Sequence, residues 1–324
     1  MKAIVITKYG PPLDVLQLKE LETPTPADDQ VLVRVRAASV NKADLAPIHG
    51  AFVARLLGTG LLKPKVKILG TDIAGQVEAV GRSVQRFKPG DEVFGFASGG
   101  FAEFACARAD QLALKPANVP FEQAAAMPIA AITALQGLRK GQIQPGQKVL
   151  VNGASGGVGT FAVQIAKSFG AEVTAVCSPQ NLDSARKMEA DHVIDYTRED
   201  FTRNGQQYDL IFAANGYHSI RDYRRALCPK GVYVGVGGEM PQIMQALVVG
   251  PLISKSAGQQ FGFMGIAKRN SKDLDFLGEL LAAGKIKPVI ERRYPLTETA
   301  QAIVYLETGH ARGKLVIDVE AGKI

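Results

Sequence analysis

Lys148-Val149-Leu150-Val151-Asn152, followed by Gly153-Ala154-Ser155-Gly156-Gly157-Val158-Gly159, is an apolar strand running into a glycine-rich turn. The turn contains the pattern A-x-G-x-x-G. Its small residues let the chain bend tightly and approach a pyrophosphate, and its last glycine permits close helix–strand packing. The helix it opens, Gly157 to Phe169, carries Val163, Ile165 and Ala166 for packing. Its N-terminus offers unpaired N–H groups and a positive dipole end to an anion. Gly170 closes that helix and a second strand, Glu172 to Cys177, follows. This strand–loop–helix–strand context separates a dinucleotide-binding loop from a structural glycine turn.

Outward from that loop, helices alternate with strands from about Phe121 onward. An Ala-rich helix is predicted over Glu122 to Lys140, and the last strand of the series over Tyr233 to Val236. Such spacing argues for a doubly wound parallel sheet. The first third differs: Lys2 to Thr7, Gln30 to Ala38 and Asp72 to Val80 are short β-branched runs set off by Gly10-Pro11-Pro12, Pro24/Pro26 and Pro89-Gly90-Asp91. The C-terminal part, with helices at Leu274 to Ala283 and near Thr297 to Leu306 and strands at Pro288-Val289-Ile290 and Lys314 to Val319, reads as the first third resuming. The expected fold class is α/β: a discontinuous β-rich domain over 1–120 and 265–324, and a nucleotide-binding domain over 121–264.

Composition agrees with this organisation. At 324 residues the chain has room for about two domains, each with its own core. The formal charge of +7 favours anionic ligands. The densest basic groups, Lys63 to Lys67 and Arg221 to Arg225, lack interleaved aromatics, so nucleic acid is not an expected partner. Cys106, Cys177 and Cys228 form neither a CxxC motif nor a disulfide framework, which suits a reducing compartment. The longest uncharged apolar window, Gln123 to Leu138, is interrupted by Pro128 and too short for a membrane span. The opening Met-Lys-Ala-Ile-Val-Ile-Thr reads as a strand and not as a signal peptide, so the cytoplasm is the expected location.

The end of the second strand bears on cofactor choice, because an acid there commonly binds the ribose hydroxyls of NAD. Here it ends Val176-Cys177-Ser178, and the first acid, Asp183, comes only in the following helix beside Arg186 and Lys187. A 2′-phosphate meets no opposing charge at Ser178, so NADPH is favoured over NADH.

With these residues in view, the chain resembles the zinc-independent medium-chain dehydrogenase/reductases of the quinone oxidoreductase group. The resemblance is carried by Ala38-Ser39-Val40-Asn41, Gly70-Thr71-Asp72-Ile73-Ala74-Gly75, Pro89-Gly90-Asp91-Glu92-Val93-Phe94-Gly95, the glycine loop and Gly313-Lys314-Leu315-Val316. It implies a GroES-like catalytic domain, a Rossmann domain and NADPH in the cleft between them. Zinc-dependent relatives have Cys at the place of Asn41 and Gly-His-Glu at that of Gly70-Thr71-Asp72. No metal is therefore expected, and His49, His192, His218 and His310 stand isolated.

By the same resemblance, Asn41 is the catalytic candidate, its amide reaching the nicotinamide ribose or the substrate carbonyl; its alternative is an Asx turn at a strand end. Thr133 matches a threonine beside the nicotinamide, and Ser155, Gly156, Gly157 and Val158 match the pyrophosphate loop. Ser178 and Tyr196 match positions at the 2′-phosphate, with Asn181 where some relatives have a lysine; Arg186, from the local reading, is a basic side chain near that phosphate or else solvates a helix face with Lys187. Asn215, Gly235 and Val236 fall at later strand ends, while Phe261, Phe263 and Lys314 match positions over or near the nicotinamide. The implied function is hydride transfer from NADPH to quinones or to the C=C of α,β-unsaturated carbonyl compounds. The alternative is an NADPH-binding redox sensor or partner-binding protein with little turnover. Gly50 to Lys67, with Phe52, Leu56, Leu57, Leu61 and Leu62, reads either as an apolar lid or as a helix packed on its own domain. A homodimer is expected, with the apolar Leu247 to Ile253 either at its interface or in the core.

Overall fold

The computed structural model describes residues 1–50, 64, 67–216, 218–238, 242–245, 250 and 258–320. The lid candidates Phe52, Leu56, Leu57, Leu61 and Leu62, most of the Lys63 to Lys67 basic group, and Leu247 to Ile253 except Gly250 lie outside the described residues. No helix among the described residues is long and apolar enough to cross a membrane.

The strands, in chain order, are β1 (Lys2–Ile6), β2 (Leu16–Glu20), β3 (Gln30–Val40), β4 (Asp72–Val80), β5 (Glu92–Phe96), β6 (Phe104–Arg108) and β7 (Leu112–Leu114). They continue with β8 (Lys148–Asn152), β9 (Glu172–Cys177), β10 (His192–Asp195), β11 (Tyr208–Ala213), β12 (Leu227–Gly235), β13 (Gln260–Phe263), β14 (Ile290–Pro295) and β15 (Lys314–Asp318). The chain divides into two compact units. One comprises Met1–Ile129, Arg269–Ala282 and Ile290–Ile324; the other comprises Ala130–Lys268 and Ala283–Val289.

The first unit is the β-rich, GroES-like one. Its main sheet has the order β14-β15-β3-β4-β5-β7, with β6 also paired to β3, and β1 and β2 form a separate hairpin. β15 returns antiparallel to β3, Leu315 opposite Val40 and Val316 opposite Ser39, so the last strand is built into a sheet begun near the N-terminus. β3 runs two residues beyond the predicted Ala38, and that extension supplies the pairing surface for Leu315 and Val316. Val31, Val33, Val35, Ile73, Val93, Leu112, Leu315 and Ile317 pack into one core; burying each such side chain contributes about 1.5–3 kcal/mol.

The second unit is a parallel six-stranded sheet of order β10-β9-β8-β11-β12-β13. Leu150, Val176, Ile194, Ile211, Tyr233 and Phe261 line one face, under Ile220, Tyr223 and Ala226 of the helix Ile220–Ala226. The predicted helix over Glu122 to Lys140 is in fact two, Phe121–Ala125 and Pro128–Lys140. Pro128 has no N–H to continue the first helix but is well suited to start the second. Strand order reverses between β8 and β11, and the carboxyl ends of the strands flanking such a switch point form the ligand crevice of doubly wound sheets.

Candidate functional site

The glycine loop lies at that switch point. Gly153 has φ +83°, and a Cβ there would fall 2.8 Å from the backbone N of Asn215. Gly159 faces back on the same turn, where a Cβ would lie 2.0 Å from the Gly153 carbonyl oxygen and 2.8 Å from Ala154 Cα. Gly156 is the opposite case: the nearest neighbour of a Cβ is the Gly153 carbonyl oxygen at 3.7 Å. It caps the helix Gly157–Ser168 in extended conformation with no side-chain cap. The first intrahelical bond is Thr160 N to Gly156 O, so the N–H groups of Gly157, Val158 and Gly159 have no partner within the helix. Ser155, Gly156, Gly157 and Val158 are partly accessible there. The cradle fits a pyrophosphate.

One strand away, β9 ends in Cys177 and the half-buried Ser178. Asn181 donates from Nδ2 to Ser178 Oγ at 2.8 Å, leaving the serine O–H to donate elsewhere. Tyr196 is 60% exposed just past β10, and Arg186 is exposed, its guanidinium 2.8 Å from Asp183. An exposed pair of that kind contributes little and can be exchanged for another anion. Asp195 lies opposite Cys177 in register, and its Oδ1 accepts from both Thr197 N and Thr197 Oγ1, bonds that hold this carboxyl below the usual range. Burial, with the Asp195 charge adding, pushes the Cys177 thiol up to about 11, so it stays a protonated packing group.

Beyond the other strands, Asn215 and Gly216 are exposed after β11, Asn215 N donating to Asn152 O at 3.2 Å. Gly235 is buried at the end of β12 and half-buried Val236 donates to Ala213 O. Phe261 is buried and stacked on Tyr233, centroids 5.6 Å apart, with Phe263 packed beside it, so Phe261 serves the core of this unit. Thr133 is half-buried in the helix Pro128–Lys140. Sequence reasoning missed a buried network here. Asn152 Nδ2 donates to Tyr223 Oη at 3.1 Å, and Gln242 Nε2 donates to Tyr223 Oη at 3.3 Å and Tyr233 Oη at 2.8 Å. The one available signal was Asn152, a polar residue following the apolar run Val149 to Val151.

The first unit holds a buried polar centre of its own. Asn41 is 6% exposed and every polar atom of its amide is engaged. Nδ2 donates to Asp72 Oδ2 at 3.0 Å and to Ser39 O at 3.3 Å, while Oδ1 accepts from Lys314 Nζ. Lys314, 3% exposed, also reaches Val40 O at 3.3 Å and lies 3.7 Å from Asp72 Oδ2. Asp72 is fully buried and accepts from Ser39 Oγ at 3.1 Å and from Ile129 N at 3.1 Å. Burial shifts Asp72 up and Lys314 down, each partly offset by the other's charge. Asp44 Oδ2 accepts from Asn41 N at 2.8 Å, the reach-back bond of a capping box at the short turn Lys42–Asp44 that follows β3. Lys42, by contrast, is exposed.

Burial, opposed by the Asn41 N–H and reinforced by the Asp72 charge, raises Asp44 from 3.8 to about 7. A carboxyl whose folded pKa exceeds its unfolded one keeps a proton that unfolding releases, so its contribution to stability falls as pH rises from about 4 to about 7. We expect Asp44→Asn to flatten the fall in melting temperature across that window. A variant curve parallel to the wild type's would contradict the assignment.

A parallel sheet with this switch point and cradle, in one chain with a GroES-like unit, defines a two-unit oxidoreductase with a nucleotide-binding domain. Two family models match the chain: "Alcohol dehydrogenase GroES-like domain" over residues 27–117 and "Zinc-binding dehydrogenase" over 188–317. The chain is 35% identical to the "NADPH-dependent alkenal/one oxidoreductase, chloroplastic" of Arabidopsis thaliana, covering 98% of this chain and 79% of that protein. It is 31% identical to the "Chloroplast envelope quinone oxidoreductase homolog" of the same plant, over 98% of each. The solved quinone oxidoreductase of Coxiella burnetii superposes with a TM-score of 0.85 at 32% identity, covering 99% of each chain. The chain belongs to the medium-chain dehydrogenase/reductase family, among its quinone and alkenal oxidoreductases. Among the described residues no three His, Cys, Asp or Glu side chains could hold a metal, and the buried centre of the first unit already contains an ammonium.

Proposed function

We propose that this protein is a zinc-independent, NADPH-dependent reductase of quinones or of the C=C of α,β-unsaturated carbonyl compounds. The observation that carries the reading is the cradle at the carboxyl end of β8, with no acidic residue at the end of β9 itself, where Cys177 and Ser178 stand. The N–H groups of Gly157, Val158 and Gly159 bind the pyrophosphate, helped by the helix dipole. Ser178 donates its hydroxyl to the 2′-phosphate, with Tyr196 beside it, and Arg186 leaves Asp183 to pair with the same group. Bound NADPH supplies a hydride, and an already electrophilic acceptor needs no Lewis acid to receive it. Asn41 and Lys314 enter the proposal as one hydrogen-bonded unit and not as separate ligands.

The test follows oxidation of NADPH and, in parallel, NADH against an ortho-quinone, a para-quinone and a medium-chain enal. Consumption of NADPH with one acceptor class supports the reading. Binding of NADPH with no acceptor turned over favours the redox-sensor or partner-binding alternative. Ser178→Asp is expected to lower the preference for NADPH over NADH by about tenfold or more, since it sets a carboxylate against the phosphate. An unchanged preference would remove Ser178 from the site.

A further inference from the structure

Gln242 is 2% exposed, and its Oε1 is buried without any hydrogen-bond partner. Native proteins rarely leave such an acceptor unpaired, and one beside the carboxyl end of a doubly wound sheet, where ligands bind, is a candidate to take a donor from a ligand. The other end of this amide is fully committed, Nε2 lying between the Tyr223 and Tyr233 hydroxyls. Tyr223 is in turn tied to Asn152 at the end of β8, so the glutamine is held from the strand that leads into the cradle. Burial raises both phenols, Tyr233 to about 12, so the clamp keeps its protons at any working pH. The free Oε1 faces Gly238, where a Cβ would lie 3.4 Å from it. Gly238 has φ +111° and follows β12 by three residues, in the stretch beyond the carboxyl end of the sheet.

Position along the sheet selects the ligand group. β12 is two strands from β8, about 10 Å at ordinary strand spacing, on the side away from β9. With pyrophosphate at β8 and the adenosine half at β9, the groups beyond β12 belong to the nicotinamide half. Its ribose hydroxyls stay near the pyrophosphate, and the N–H donor farther out is the carboxamide. We infer that Gln242 is a specificity-determining residue for the cofactor, its Oε1 accepting a hydrogen bond from the carboxamide N–H of the nicotinamide ring. This rests on the NADPH reading above.

The experiment measures dissociation constants, by fluorescence titration without acceptor, for NADPH and for its reduced 3-acetylpyridine analogue. The analogue keeps the carbonyl and replaces the N–H donors with a methyl group. Wild type is expected to bind NADPH about tenfold more tightly, ~1.4 kcal/mol. Gln242→Met is expected to bring the ratio close to one, and a ratio cancels any general loosening of the unit. Equal wild-type affinities overturn the inference without recourse to a variant, and a tenfold ratio that survives Gln242→Met overturns it as well. Failure of the wild type to bind either nucleotide overturns the NADPH reading, and this inference with it.

Discussion

Gly159→Ala is expected to abolish NADPH binding and to destabilise the parallel-sheet unit by about 1–3 kcal/mol, the usual cost of overpacking. The new methyl would sit 2.0 Å from the Gly153 carbonyl oxygen and 2.8 Å from Ala154 Cα, and both obstacles are backbone. No rotamer change relieves that contact, so the turn and the helix Gly157–Ser168 must separate, and the converging N–H groups lose their aim. Alanine's better helix propensity, worth up to about 1 kcal/mol, offsets only part of this cost. Gly156→Ala isolates binding from folding, because its Cβ meets nothing closer than 3.7 Å and its φ is −78°. That variant should unfold within about 0.5 kcal/mol of wild type and still lose NADPH affinity, since the methyl takes up space in the cradle. Urea unfolding and nucleotide titration on the two variants separate the effects. A Gly159→Ala protein with wild-type stability and affinity would show that the turn can yield, against the close approach argued here.

What was legible in the sequence was local. The cradle is written in consecutive residues, each needed for a steric reason that composition reveals, and the alternation of helix with strand gave the parallel sheet. The division of Glu122 to Lys140 into two helices was missed, although its cause, Pro128 at the start of the second, is local. The polar centre of the first unit was not legible as a network. Lys314 meets Asn41 across 273 residues of chain, and only the pairing of β15 with the last residues of β3 makes them neighbours. Resemblance marked both residues singly, yet nothing in their local sequence says that one amide takes up the other's ammonium. The Asn152, Tyr223, Tyr233 and Gln242 cluster has the same character, because its members come from two strands and two helical segments that only the folded sheet assembles.

The buried centre carries the largest expected loss of stability. Lys314→Met removes the only ammonium near Asp72 among the described contacts and leaves that carboxyl, with Asp44 nearby, in a site closed to water. Removing one partner of a buried ion pair typically costs about 3–5 kcal/mol, because the remaining charge is neither solvated nor compensated. Asn41 Oδ1 loses its donor in the same step. Because Asp72 escapes the penalty by taking up a proton, the loss should depend on pH. Its folded pKa already stands above the unfolded value and rises further without the ammonium. The variant should therefore recover part of its stability as pH falls through the raised folded pKa, and lose it again as pH rises. Lys314→Met combined with Asp72→Asn should cost less than the sum of the two single substitutions, since the second removes the charge the first stranded. Chemical denaturation of the four proteins at neutral and mildly acidic pH decides the matter. Additive single losses, or a Lys314→Met protein within about 1 kcal/mol of wild type at neutral pH, would mean that water or a shift of Asn41 solvates Asp72.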